Sequence, residues 1–278
     1  MAEEADMAAE EAPARRSPWR TAAKWTGLVL AGLLLLIVLV LVGINTDPGR
    51  RILVDQINKL ETASGLDIDI GRIEGSIYGE LTIHDLTLRD QRGAFFVAPV
   101  VELDWSPFAY LRNHVDIQSL TVPQARLMRL PELRPGDPNA PLLPDIDIDI
   151  DRLRVGRLLI GPAVTGQRHL VTLAGNVHIA DGRAQIAANA ETLRATGMPG
   201  GDRLVLRLDA VPEANRFDID ARLQAPAGGF VAGLTGFERP LAVAIDGRGD
   251  WENWSGRARA TVGGEALANL GIIGRYEA

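Results

Sequence analysis

The stretch Asp145-Ile146-Asp147-Ile148-Asp149-Ile150-Asp151 decides the fold class. Apolar and charged residues exchange at every step, and only a strand sends successive side chains to opposite faces. One face of this segment is therefore apolar. The other carries carboxylates about 6.6–7 Å apart. The same alternation runs outward in both directions. It appears before this point in Asp67-Ile68-Asp69-Ile70, Leu81-Thr82-Ile83, Leu86-Thr87-Leu88 and Val101-Glu102-Leu103-Asp104-Trp105. It appears after it in Leu204-Val205-Leu206-Arg207-Leu208, Phe217-Asp218-Ile219-Asp220 and Val243-Ala244-Ile245-Asp246. Strands of this kind have one dry and one wet face, as in antiparallel sheets. Turn residues punctuate them at Gly79, Arg92-Gly93, Asp181-Gly182 and Asp246-Gly247, with smaller turns at 197–201 and 225–229. The apolar parity slips by one between Ile83 and Leu86, which predicts a bulge near His84-Asp85. Residues 66–278 thus read as an all-β domain, a long antiparallel β-meander. One segment, 130–144, interrupts it: five prolines among its 15 residues exclude a central strand there.

The N-terminal part reads differently. Trp25 to Thr46 is WTGLVLAGLLLLIVLVLVGINT, without a charge. A helix of roughly 20 such residues crosses a hydrocarbon core of about 30 Å. We read residues 19–46 as a transmembrane anchor, with Trp25, Gly27, Leu28, Leu33, Leu36, Val40 and Val42 in its apolar body. A cleaved secretory signal would have a shorter apolar region and a small-x-small exit, whereas this run leaves through Gly43-Ile44-Asn45-Thr46. Arg15, Arg16, Arg20 and Lys24 precede the run and set the topology: N-terminus cytoplasmic, bulk of the chain on the far side. Residues 1–18 read as a disordered cytoplasmic tail. Residues 47–65 form a short amphipathic helix: Asp47 caps it, Pro48 suits its first turn, Ile52, Leu53, Ile57 and Leu60 share a face, and Gly65 stops it.

Composition narrows the function. A net charge of −7 and 5% aromatics argue against nucleic acid as a partner. The absence of cysteine removes disulfides, thiolate metal sites and cysteine nucleophiles. The four aspartates from Asp145 to Asp151 lack the glycine turn and closing glutamate of a calcium loop, and read as a solvated strand face. His84, His114, His169 and His178 form no zinc motif. Ser76 lies in Gly75-Ser76-Ile77-Tyr78-Gly79, which lacks the order of a nucleophile elbow. No enzyme, no cofactor and no metal site is expected.

A family resemblance rests on residues 73–121. Gly75-Ser76-Ile77-Tyr78-Gly79-Glu80-Leu81-Thr82-Ile83-His84-Asp85-Leu86-Thr87-Leu88-Arg89-Asp90 is followed by Val101-Glu102-Leu103-Asp104-Trp105-Ser106-Pro107 and by Ile117-Gln118-Ser119-Leu120-Thr121. After an N-terminal anchor, this pattern resembles the N-terminal region of the TamB family, the inner-membrane subunit of the bacterial translocation and assembly module. That family belongs with AsmA-like and chorein-type lipid bridges. The likeness covers about residues 20–130 and is architectural beyond them. It implies a taco-like β-groove, apolar inside, rooted in the bacterial inner membrane and running through the periplasm. It implies phospholipid as cargo, an outer-membrane barrel of the TamA type as partner, and a role in outer-membrane biogenesis and protein secretion. Members of that family are much longer, so the chain is expected to be either the N-terminal piece of a longer protein, which is the favoured reading, or a short AsmA-like relative.

Physics constrains this picture without choosing within it. A sheet with one apolar face must cover that face with a second sheet, a helix or a ligand. A second sheet makes a sandwich; an acyl chain makes a conduit. The residues expected to line a lipid groove are Ile68, Ile70, Leu81, Ile83, Leu86, Leu88, Val101, Leu103, Ile146, Ile148, Leu204, Leu206, Val243 and Ile245. The alternative is a periplasmic scaffold or chaperone that pairs client outer-membrane proteins with an open sheet edge.

Overall fold

The computed structural model describes residues 42–43, 45–58, 64–134, 143, 145–236, 238–250, 253 and 255–273. The expected tail, the four topology residues Arg15, Arg16, Arg20 and Lys24, and the anchor residues Trp25, Gly27, Leu28, Leu33, Leu36 and Val40 lie outside these. Val42 is helical and exposed. Among the described residues no helix is long and apolar enough to cross a membrane. The chain divides into two compact units, Met1–Thr46 and Asp47–Ala278, and the second carries the sheet.

The second unit begins with helix α1, Asp47–Ile57, with acidic Asp47 in its first turn, where the helix dipole favours it. The helix is described to Ile57, residues 59–63 lie outside the described residues, and Asn58 is bound to Ile70 just beyond β1. Its Nδ2 donates to the Ile70 carbonyl at 3.0 Å, and its Oδ1 accepts from the Ile70 amide at 2.9 Å. Of the expected apolar stripe, Leu53 and Ile57 are half-buried and Leu60 lies outside the described residues. Val54 is the buried residue and Ile52 is exposed, since only one narrow side of this short helix meets β2 (Arg72–Gly75).

The other strands are β1 Asp67–Asp69, β3 Glu80–Asp90, β4 Gly93–Trp105, β5 His114–Leu127, β6 Asp147–Ile160, β7 His169–Ala180, β8 Arg183–Leu193, β9 Arg203–Val211, β10 Arg216–Ala225, β11 Leu241–Arg248, β12 Ser255–Val262 and β13 Glu265–Ile273. They form one open 13-stranded sheet in sequence order, with β1 and β2 both paired to β3. The expectation of an antiparallel meander needs one correction. β5 and β6 run parallel, so the sheet is mixed. A parallel pair needs a long return crossover. The segment between Leu127 and Asp147 makes this connection, so β6 keeps the direction of β5 where a hairpin would reverse it; residues 135–142 and 144 of the proline-rich stretch lie outside the described residues.

Most turns fall where expected. Asp181 and Gly182 adopt φ of +50° and +68° and close the β7–β8 hairpin, a geometry that matches the strand twist. Asp246-Gly247 is a correction: both residues lie inside β11, where Gly247 pairs with Gly256 across the sheet. The turn comes after β11. Short helices, α2 Pro162–Thr165 and α3 Phe230–Thr235, follow β6 and β10, and 3-10 turns cover Pro107–Arg112 and Pro212–Ala214.

The parity slip at His84-Asp85 is real and extends well beyond one strand. Ile83 and Leu86 pack on one core cluster of Ala98, Val101, Val122 and Ala125, although two residues separate them. Asp85 between them has φ +56°, a conformation that aspartate tolerates. The same three-residue step recurs at Ala98–Val101, Val122–Ala125 and Val155–Leu158, so a crease crosses β3, β4, β5 and β6. Pro99 and Pro123 sit in it, where a missing N–H is tolerated. The crease ends at β7, against which β6 is bulged: Val155 pairs with Leu173 and Leu158 with Val171, leaving Gly156 and Arg157 opposite Thr172.

At the sheet's other side, Arg129 anchors the start of the crossover. Its guanidinium donates to both carboxylate oxygens of Asp90, at 2.6 and 2.5 Å, and to the Gly93 carbonyl at 2.8 Å. The Asp90 side chain is wholly enclosed and also accepts from the Glu132 and Arg92 amides. The guanidinium, with those two amides, holds the Asp90 carboxyl far below the usual carboxylate range.

Candidate functional site: a continuous apolar face

Cross-strand pairing places opposite residues on the same face of a sheet, so the register alone defines each face. One transverse row reads Leu81, Leu103, Leu120, Leu153, Gly175, Ala188, Leu206, Ala221, Ile245, Ala258 and Leu270, through eleven strands from β3 to β13. Not one polar side chain interrupts it. A neighbouring row passes from Val155 through Leu173, Ala190, Leu204, Leu223 and Val243 to Ala260. With strands about 4.8 Å apart, the first row is roughly 50 Å long.

The row one residue along faces the other way. It reads Thr82, Glu102, Thr121, Arg154, Ala174, Asn189, Val205, Arg222, Ala244, Arg259 and Asn269. This is the wet side. Its charges are partly paired, as in Arg183, whose Nε donates to Asp209 at 2.7 Å and lowers that carboxyl's pKa.

Among the described residues all strands belong to one sheet, and no second sheet is formed. Burial reflects this: Leu81 at the β3 end is 7% exposed, Leu206 is half-buried and Leu270 at the β13 end is 54% exposed. Leu267 and Leu270 leave large apolar surface on β13, which has no outer partner among the described residues.

The structure brings the expected lining residues together. Leu81, Ile83, Leu86 and Leu88 pair with Leu103, Val101, Ala98 and Phe96. Ile68 pairs with Leu88 and Ile148 with Ile179. Leu204, Leu206, Val243 and Ile245 belong to the two rows above. Ile70 and Ile146 lie just outside strands: Ile70 is buried between β1 and β2, and Ile146 is half-buried before β6.

The aspartate series does not form one ladder. β6 steps out of phase at Asp151-Arg152, where Ile150 pairs with Val177 but Leu153 with Gly175. Asp149 instead lies between two imidazoles, 2.8 Å from His114 Nε2 and in contact with His178 Nδ1. Among the described residues no group of such side chains could hold a metal ion.

The flank of the face has no local signature in the sequence. At the ends of β6 to β10, Ile160, His169, Thr192, Asp202 and Ala225 are all buried, 1–5% exposed. Asp202 accepts from Thr192 Oγ1 at 2.7 Å and from the Phe230 and Val231 amides that open α3, at 2.9 and 3.1 Å. The Phe230 ring stands edge-on to His169, with centroids 5.5 Å apart. α2 and α3 touch closely enough that a methyl group on Gly233 would lie 2.7 Å from the Thr165 carbonyl. They close one flank of the face. Helices this short carry no readable period, so only the glycines Gly166 and Gly236 could have signalled their ends. No protein-family model, curated protein or solved structure matches the chain.

Proposed function

We propose that this chain is a membrane-anchored, periplasmic lipid-handling protein of the TamB and AsmA-like kind, whose apolar sheet face receives phospholipid acyl chains on the way to the outer membrane. The observation that carries this reading is the uninterrupted row from Leu81 to Leu270, half-buried at Leu206 and more than half exposed at Leu270. Such a face costs free energy in water, about 25 cal/mol for each Å² left exposed, and an acyl chain along it removes that cost. Contact of this sort is collective and passive. No residue acts as a catalyst, and the lipid's head group stays outside the apolar rows. The partner at the far end is an outer-membrane barrel of the TamA type, and the chain serves outer-membrane biogenesis.

The test is native mass spectrometry of the full chain released from lipid nanodiscs. Wild-type protein retains phospholipid after the disc is removed. Leu206→Asp loses it, because an unpaired charge in an apolar channel costs several kcal/mol. Equal retention by the variant, with its fold intact, refutes the conduit.

A second reading is favoured by β13, whose outer edge is open among the described residues. It is a scaffold that pairs a client strand with that edge. Proline within β13 would then abolish client binding, and Leu206→Asp would not.

A further inference from the structure

The 3-10 turn Pro107–Arg112 exposes three large apolar side chains within four residues. Phe108 is 54% exposed, Tyr110 63% and Leu111 82%, while Ala109 between them is buried. The turn is tied to its neighbours at its end and through Phe108. Asn113 ends it at φ +60°, and its side chain donates to the Asp145 carbonyl at 2.5 Å. Phe108 stacks on Tyr78 with ring centroids 5.5 Å apart and planes 9° from parallel. Arg112 follows, exposed, with no ion pair or side-chain hydrogen bond among the described residues.

The location of the turn points to its partner. Tyr78 belongs to the turn between β2 and β3, and Gly75 at the end of β2 accepts a hydrogen bond from Arg50 Nη1 at 2.5 Å. Arg50 lies in the first turn of α1, which packs on β2 and begins at the residue after Thr46. Thr46 is the last residue of the long apolar run. The aromatic turn therefore occupies the corner of the sheet that is tied to the start of α1.

We propose that Pro107–Arg112 is an interfacial membrane contact, seated in the head-group boundary of the same bilayer that holds the anchor. Phe108, Tyr110 and Leu111 enter the boundary, as aromatic and aliphatic residues do in membrane-surface segments, and Arg112 meets lipid phosphate. This rests on reading residues 19–46 as a membrane anchor. It adds a second attachment, which holds the first strands at the bilayer surface.

The chain has no cysteine, so single labels can be placed cleanly. Full-length Leu111→Cys and Leu267→Cys, each carrying an environment-sensitive nitrobenzoxadiazole dye, are reconstituted into phosphatidylethanolamine–phosphatidylglycerol vesicles with brominated acyl chains. Leu267 lies on β13, exposed, and serves as the distant control. The proposal expects the dye at position 111 to be quenched at least threefold more than the dye at 267. Resistance to alkaline carbonate reports the anchor separately. A carbonate-resistant protein whose dye at 111 stays unquenched overturns the contact and leaves the anchor standing. A dye at 111 that is shielded from water yet not quenched means that protein covers the turn, which also overturns it. Release by carbonate removes the anchor and the contact together.

Discussion

Gly156 of β6 lies against Pro123 of β5, so closely that a methyl group added to the glycine would sit 2.9 Å from the proline carbonyl oxygen. The two residues form the middle of the crease, where neither a side chain nor an N–H is wanted. Gly156→Ala should therefore lower stability by about 1–3 kcal/mol, the usual cost of overpacking. Gly79→Ala, where a methyl group meets nothing within 4 Å, should stay within about 0.5 kcal/mol. Denaturant unfolding of the two variants checks the difference, and equal effects would mean that the crease is looser than described.

Asp90 is paired with Arg129 and its folded-state pKa is depressed. A depressed carboxylate contributes stability that is fully present above its unfolded pKa and is lost as pH falls through the folded one. The stability gap between wild type and Asp90→Asn should therefore be constant from pH 7 to about pH 5 and should narrow as pH falls below the ordinary carboxylate value of 3.8. Chemical denaturation at a series of pH values reads it. A gap that widens toward acid would contradict the pairing.

The open face predicts a gradient of mutational cost. Leu81→Ala, at a buried position, should cost about 2–5 kcal/mol. Leu270→Ala, more than half exposed, should cost less than about 1 kcal/mol. Similar costs at both positions would indicate a second layer over the β13 end.

Asp202 ties α3 to the sheet through two backbone amides and Thr192. Asp202→Ala leaves the buried Thr192 hydroxyl and two half-buried amides without this acceptor, at about 1–3 kcal/mol in all. Hydrogen exchange should then accelerate in α3 before it does in β9 or β10. Uniform acceleration through the sheet would show that the flank and the sheet open as one unit.

Much of the sheet is legible in the chain, because period two survives wherever one face is dry and the other wet. Leu204-Val205-Leu206-Arg207-Leu208 and Val243-Ala244-Ile245-Asp246 state their own orientation. Strand direction is not written locally. Nothing in Asp145–Asp151 says that β6 lies parallel to β5, yet the two strands carry the same irregular spacing, with Ile117, Leu120, Val122 and Ala125 paired to Ile150, Leu153, Val155 and Leu158. That shared phase was the available signal. Asp246-Gly247 misled because Asp-Gly so often marks a hairpin turn, whereas here Gly247 lies where β10, β11 and β12 pack against one another. The flank built by α2 and α3 depends on contacts between residues far apart in sequence, such as Asp202 with Phe230, and no local pattern announces them.

The central claim is that lipid lies on one face of the sheet, and adjacent residues on opposite faces test it. Leu206 pairs within the apolar row and Arg207 points to the wet side, opposite Asp220. A photo-crosslinking amino acid is placed at each position in turn, in the full chain within cells, and the protein is illuminated and weighed. The account predicts phospholipid adducts at position 206 and none above background at 207. Adducts at neither position, or equally at both, would contradict it.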